Sequence, residues 1–166
     1  MLQALQIATL MLVSIAMACS LAHALEFPGK LRLSKEIYAA VQPIYYPGFT
    51  VIGGFAEILG LLGTFALLFA AARDSTAFRL TAIAFIALLC MHAVFWAVTQ
   101  PVNKYWLREQ NLSAPSSMFF GIRKSSPGAA PQDWTVLRDR WEYSHVARAV
   151  LSFVAMIMLA CAIAVT

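Results

Sequence analysis

Three histidines, one carboxylate and one arginine are the residues whose types and placement could do chemistry in this chain. His23, His92 and His145 are its only histidines. Each falls near one end of a different apolar segment, and Glu57 is the only strongly charged residue inside a further one. Read as helices, the segments set comparable depths. Glu57 is eight residues into the second, about 12 Å by helical rise. His92 stands about as far back from the corresponding end of the third. His145 lies a turn or two inside the fourth if that helix opens near Asp139. Ionisable groups inside apolar spans are costly and by default mark function, and a bundle can aim one group from each helix at a common point.

Two chemistries suit such a constellation. Imidazole nitrogens with one carboxylate are ligands for iron, copper or zinc, which makes His23, Glu57, His92 and His145 a candidate metal set. The spacing itself is no metal motif: there is no HExxH, and Glu142 with His145 forms an i, i+3 pair only once. Without a metal, His92 or His145 could act as a general base, with Asn103 or Arg148 stabilising an oxyanion. The plain alternative for each histidine is a hydrogen-bonded residue between helices. Two stripes accompany the set. His92, Trp96, Thr99 and Asn103 recur on the third segment, and Arg138, Trp141, His145 and Arg148 on the fourth, at spacings of three and four. Pro101 is expected to tilt the last turn of the first stripe. Trp96, Trp141 and Tyr45 are candidate walls of a substrate pocket.

The elements that must position these residues follow from composition. The 166 residues are 61% hydrophobic and 12% charged, too few charges to cover a water-facing surface. Apolar runs at about 2–25, 49–72, 77–99 and 146–165, the last within a span of about 139–165, are each long enough to cross a hydrocarbon core of roughly 30 Å, and in lipid they must be helical. The expected fold is all-α: a single integral membrane domain over 1–166 built as a four-transmembrane-helix bundle. It carries a short interfacial helix in the first loop, N-capped by Ser34. Arg73-Asp74-Ser75-Thr76 closes a hairpin between the second and third helices. A long, partly ordered loop, irregular from Ser113 to Gln132, joins helices 3 and 4. Ala22-His23-Ala24 also matches a signal-peptide cleavage site, but no Lys or Arg precedes Lys30, so a retained first span is expected.

Loops 26–48 and 100–138 share a side. Lys30, Arg32, Lys35, Lys104, Arg108, Arg123, Lys124, Arg138, Arg140 and Arg148 gather there, against Arg73 and Arg79 opposite. This bias predicts cytoplasmic loops with both termini outside, as in a bacterial inner membrane. It also reads the net charge of +4 as membrane-flanking, with no nucleic-acid partner. Tyr38, Tyr45, Tyr46, Trp96, Tyr105, Trp106, Trp134, Trp141 and Tyr143 fall on the same side, and a one-sided aromatic set suggests a pocket or cap beyond a plain interfacial belt. Cys19, Cys90 and Cys161 read as small buried hydrophobes. Ala56, Gly60 and Thr64, with Gly53, Gly54 and Gly63, read as close helix packing.

Ala22-His23-Ala24-Leu25-Glu26, Gln100-Pro101-Val102-Asn103 and Arg140-Trp141-Glu142-Tyr143-Ser144-His145-Val146-Ala147-Arg148 resemble the signatures of the anthrone-oxygenase-like family of small four-span membrane proteins. Pro-x-Asn after the third span and Trp-x-x-x-His-x-x-Arg opening the fourth are the most specific parts. Ser144 departs from the pattern, standing where many relatives carry Asn. Members with the longer central loop form a bacterial branch. The family name comes from fungal enzymes that oxidise an anthrone to an anthraquinone with dioxygen, so the resemblance implies an oxidoreductase. Three function classes stay open. One is an oxygenase acting on a small lipophilic substrate, with or without a transition metal. The second is a non-catalytic accessory or lipophile-binding protein, and the third a haem protein. A transporter is disfavoured, since inverted repeats and broken-helix pairs are missing. Homo-oligomerisation is left open.

Overall fold

The computed structural model describes residues 1–45, 48–106 and 133–166, with side chains described as far as Asn103 in the second stretch. Every regular element among them is helical. Helix α1 is Leu2–Lys30 and α2 is Lys35–Val41, followed by a 3-10 turn at Gln42–Tyr45. A π-turn at Phe49–Gly53 leads into α3, Gly54–Ala70. Helix α4, Thr76–Val94, passes through a second π-turn at Phe95–Thr99 into α5, Gln100–Trp106. Helix α6 is Trp134–Ala164. Leu2–Lys30, Phe49–Ala70, Thr76–Asn103 and Trp134–Ala164 are each long and apolar enough to cross a membrane. Tyr46, Arg108, Arg123, Lys124 and the stretch 113–132, to which the sequence assigned charge, aromatic or loop roles, lie outside the described residues, as do the side chains of Lys104, Tyr105 and Trp106.

The helix boundaries differ from the sequence expectation for local reasons. Helix α1 runs on to Lys30 because Glu26 and Lys30 pair across one turn at 2.9 Å, and Pro28 falls in its last turn. Helix α6 opens at Trp134 rather than Asp139. Its N-cap is Asp133, whose carboxylate accepts from the Thr135 amide at 2.9 Å and hydroxyl at 2.8 Å. Those two bonds hold the Asp133 carboxyl below the usual range. A depressed folded-state pKa contributes stability above the unfolded value and loses it as pH falls through the folded one. The Thr135 amide resonance is therefore expected to titrate in acid, and Asp133→Asn, which keeps the cap, to flatten that titration.

Pro101 acts differently from a simple tilt. It has no N–H to offer the carbonyl four residues back and would clash with it in a regular helix. The chain widens there into the π-turn, and the Ala97 carbonyl accepts from Arg140 Nη2 at 3.3 Å instead. Ser34 caps α2, accepting from the Ile37 amide, and Ser75 caps α4 in the same way after the short hairpin turn.

The four spans close a ring in which α1 and α4 each pack on α3 and α6. Neighbours run antiparallel: Gln6 near the start of α1 bonds Thr166 past the end of α6, while Lys30 at the other end of α1 meets Glu142. The half of the bundle away from the loops is packed by Val13, Leu67, Ala84, Leu88, Met91, Ala155 and Leu159. Hydroxyls buried there bond back to their own helix, Thr64 to Gly60 O, Thr81 to Ala77 O and Ser152 to Arg148 O, which satisfies them without a partner helix. The small-residue series on α3 faces α1. A Cβ on Gly60 would come within 3.1 Å of Val13 Cγ2, and one on Gly63 within 3.2 Å of Thr9 Cβ. Gly63→Val is accordingly expected to cost about 1–3 kcal/mol by overpacking, measured by denaturation in mixed micelles. Gly29→Ala, where a Cβ meets nothing within 4 Å, serves as the neutral control.

The outer surface is apolar, with Ile7, Met11, Phe55, Leu62, Phe69, Ile86 and Phe153 exposed along the spans. That surface belongs in a lipid bilayer, and the chain is an integral membrane protein. The cysteines correct the sequence reading. All three are free, but Cys90 and Cys161 are exposed on this outer surface and Cys19 is half-buried. Lipid accepts a thiol as readily as a core does, so apolar sequence context alone did not distinguish the two.

Candidate functional site

The loop-side half of the bundle holds a cavity of about 110 Å³. Both π-turns border it, through Phe49 and Thr50 on one and Phe95, Trp96 and Thr99 on the other. A π-turn widens the local helix and often marks a functional position. His23, Tyr45, Glu57, His92, Trp96, Asn103, Trp141, His145 and Arg148, the residues singled out by type and depth, all line this cavity. Cys19, Ser20, Phe49, Thr50, Gly54, Ile58, Phe95 and Thr99 complete the wall; of these only Thr99 had been placed on a candidate stripe, and Cys19 and Gly54 had been read as packing residues.

Local hydrogen bonds fix two of the imidazoles. His92 Nδ1 lies 2.8 Å from Leu88 O, and His145 Nδ1 lies 2.9 Å from Trp141 O. A carbonyl only accepts, so Nδ1 carries the proton in both rings, and Nε2 of each neutral ring bears a lone pair. The two lone pairs meet different surroundings. His145 Nε2 faces Arg148 Nη1 at 3.4 Å. His92 Nε2 is buried with no hydrogen-bond partner. His23 is packed among aromatic rings, with centroids 4.4 Å from His145, 4.6 Å from Tyr45 and 5.0 Å from Trp141, and its Nδ1 is likewise unpartnered.

Glu57 and Arg148 form an ion pair across the cavity wall, from Arg148 Nη2 to Glu57 Oε1, and the guanidinium also lies over the Phe95 ring. Arg148, counted from the sequence among the loop-side flanking charges, is thus a buried, paired group. The proposed ligand set shares the cavity, but no three His, Cys, Asp or Glu side chains among the described residues are grouped so as to hold a metal ion, and the Glu57 carboxylate answers Arg148. On the third-span stripe, Asn103 Oδ1 accepts from Trp141 Nε1 at 2.7 Å, and Thr99 bonds Ser144 at 2.8 Å. Arg138, at the outer end of the other stripe, pairs with Asp139.

Sequence reasoning missed the floor beneath this site. Lys30, counted there as a loop charge, is only 4% exposed. Its ammonium sits 2.9 Å from Glu26 and 3.6 Å from Glu142, over the rings of Tyr45 at 4.5 Å and Trp141 at 5.0 Å. Tyr45 donates to Glu26 at 2.6 Å and Tyr38 to Glu142 at 2.9 Å. Burial, together with the adjacent Glu142 carboxylate, pushes the Tyr38 phenol up, so it remains a donor. The network locks Trp141, and through it Asn103, against the cavity. The available signal was the i, i+4 spacing of Glu26 and Lys30, which extends α1 beyond its apolar run.

A sequence-family model described as anthrone oxygenase matches residues 44–158, covering α3, α4 and most of α6. No curated protein and no solved structure matches the chain.

Proposed function

Because the chain belongs to the anthrone oxygenase family, we propose that it is a membrane-embedded oxidoreductase that uses dioxygen to oxidise an activated carbon of a lipophilic substrate held in the loop-side cavity. The observation that carries this reading is His92. Its ring is oriented by Leu88 O and presents an unpartnered Nε2 in a cavity walled largely by aromatic and apolar side chains. A half-buried base of fixed tautomer, with its Nε2 shielded, suits abstraction of a proton from a carbon made acidic by flanking aromatic and carbonyl groups.

In the proposed sequence, His92 Nε2 takes one hydrogen of a CH₂ group as a proton, and the bonding pair delocalises as an enolate. Arg148, whose Nε–H is unpartnered, and Asn103 meet the charge on the enolate oxygen. The enolate carbon reduces dioxygen and bonds one of its atoms, and the resulting peroxide takes the proton back from His92. Loss of the second hydrogen from that carbon then expels the outer oxygen as water and leaves a carbonyl. Overall, CH₂ and O₂ become C=O and H₂O. His145 and Glu57 hold Arg148 in place, while Trp141, Trp96 and Tyr45 supply flat apolar walls. We propose further that the loop side faces the cytoplasm of a bacterial inner membrane. Lys30 and Arg148 are neutralised in buried pairs, but the remaining charge bias still favours this orientation.

The purified protein in detergent, given an anthrone as probe, is expected to speed anthraquinone formation above the spontaneous rate, with one O₂ consumed per carbonyl formed. Binding of the anthrone without acceleration would replace this reading with that of a lipophile carrier.

A further inference from the structure

Among the described residues, buried side chains lie beyond the cavity at both ends along the bundle axis. Toward the loops it is plugged by Tyr45, Val102, Leu137 and Trp141, all buried, with Lys30 and its carboxylates behind them. Toward the opposite face lies the packed core of Val13, Leu88, Met91 and Leu159. The cavity nevertheless has an exposed edge. Among the described residues that line it, Ile58 at 49% and Trp96 at 59% are the exposed ones. Ile58 is on α3 and Trp96 in the π-turn that continues α4, and these two neighbouring spans pack least closely on one another. Ile58 is nine residues into its span, a depth of about 13 Å by helical rise, and Trp96 lies about 30 Å along the longer third span from Thr76. A leaflet's hydrocarbon is roughly 15 Å deep, so the Ile58 side chain meets acyl chains, while Trp96 stands toward the headgroup boundary, where tryptophan is favoured. Phe55, Leu59 and Leu62 continue the exposed apolar face on α3.

We propose that the cavity opens sideways into the bilayer through a portal between α3 and α4, with Ile58 and Trp96 as its jambs. Its ligand is then an uncharged lipophile dissolved in the membrane, delivered without crossing the loop face. A charged or strongly hydrated molecule would have to shed its water in hydrocarbon to use this route, which is prohibitively costly. The inference rests on the oxygenase reading only in calling that ligand a substrate, and its test requires no turnover.

Cys19 on the cavity wall provides the reporter, after Cys90→Ser and Cys161→Ser remove the lipid-facing thiols. A second reporter, Ser20→Cys in a Cys19→Ser background, covers the case in which the first thiol is inert. In proteoliposomes, a membrane-partitioning aryl maleimide is expected to label the cavity thiol. Ile58→Trp, which fills the opening, should slow labelling by about tenfold or more, and Trp96→Ala should quicken it. Phe153→Trp, on the outer face of α6, should leave it unchanged. A cationic thiosulfonate supplied to both faces should label neither thiol. Labelling by the cationic reagent at a similar rate overturns the portal in favour of an aqueous entrance. So does a maleimide rate indifferent to both portal substitutions, or inertness of both thiols to the maleimide. An intact portal in a protein that does not accelerate anthrone oxidation would count against the oxygenase reading alone.

Discussion

Replacing His92 with glutamine is expected to lower the rate of anthrone oxidation by about 10²–10⁴-fold, the usual contribution of a positioned general base. The fold and the affinity for substrate should change little. His92 is half-buried at the cavity edge, and its one intramolecular bond is to a carbonyl in its own helix. Glutamine can donate to that carbonyl but cannot accept a proton from carbon. His145→Gln supplies the contrast. Its Nε2 faces the Arg148 guanidinium, so the lone pair that a base needs is already engaged. Its loss should act through the placement of Arg148 and cost less in rate. The measurement is the rate of quinone formation at saturating substrate, together with oxygen uptake. If His92→Gln retains the wild-type rate, His92 is not the base. If His145→Gln proves the more damaging of the two, the roles assigned to the two rings are reversed.

The largest loss of stability is expected from Lys30→Met. This substitution leaves Glu142, fully buried, facing Glu26 with no intervening cation. Removing one partner of a buried ion pair typically costs about 3–5 kcal/mol, because the charge left behind is uncompensated. Glu142→Gln added to Lys30→Met should recover much of that loss. The amide is neutral, and its oxygen can still accept from Tyr38, which donates to Glu142 Oε1 at 2.9 Å. Unfolding midpoints in mixed micelles measure both variants. A single variant within about 0.5 kcal/mol of wild type would mean that Lys30 sits at the surface, where ion pairs contribute little. Because Lys30 lies over Trp141, and Trp141 holds Asn103, the double variant should still show a reduced rate even where stability returns.

How far the sequence reached is clearest at these same residues. Depth could be counted along an apolar run, since a membrane fixes both helix length and rise per residue. His23, Glu57, His92 and His145 could therefore be assigned to one leaflet from the sequence alone, and all four line one cavity. Depth says nothing about rotation around the helix or about partners. Arg148 and Glu57 stand 91 residues apart, and no local pattern announces that they pair. Lys30 resembled an ordinary flanking charge because its neighbours in the chain, Gly29, Leu31 and Arg32, are typical of a loop start. Its burial depends on Glu142, Tyr45 and Trp141 arriving from elsewhere.

The sequence by itself determined four apolar spans, their hairpin turn, the short capped helix, the shared depth of the ionisable groups and a family signature. Those features depend on local periodicity, on the solvent the chain must face and on short motifs. Only the tertiary structure decided which lone pairs are free, that the carboxylate answers an arginine, that a lysine underlies the site and that two π-turns widen the helices around it. Each of these depends on which helix faces which, and that is settled by side-chain packing among residues far apart in the chain.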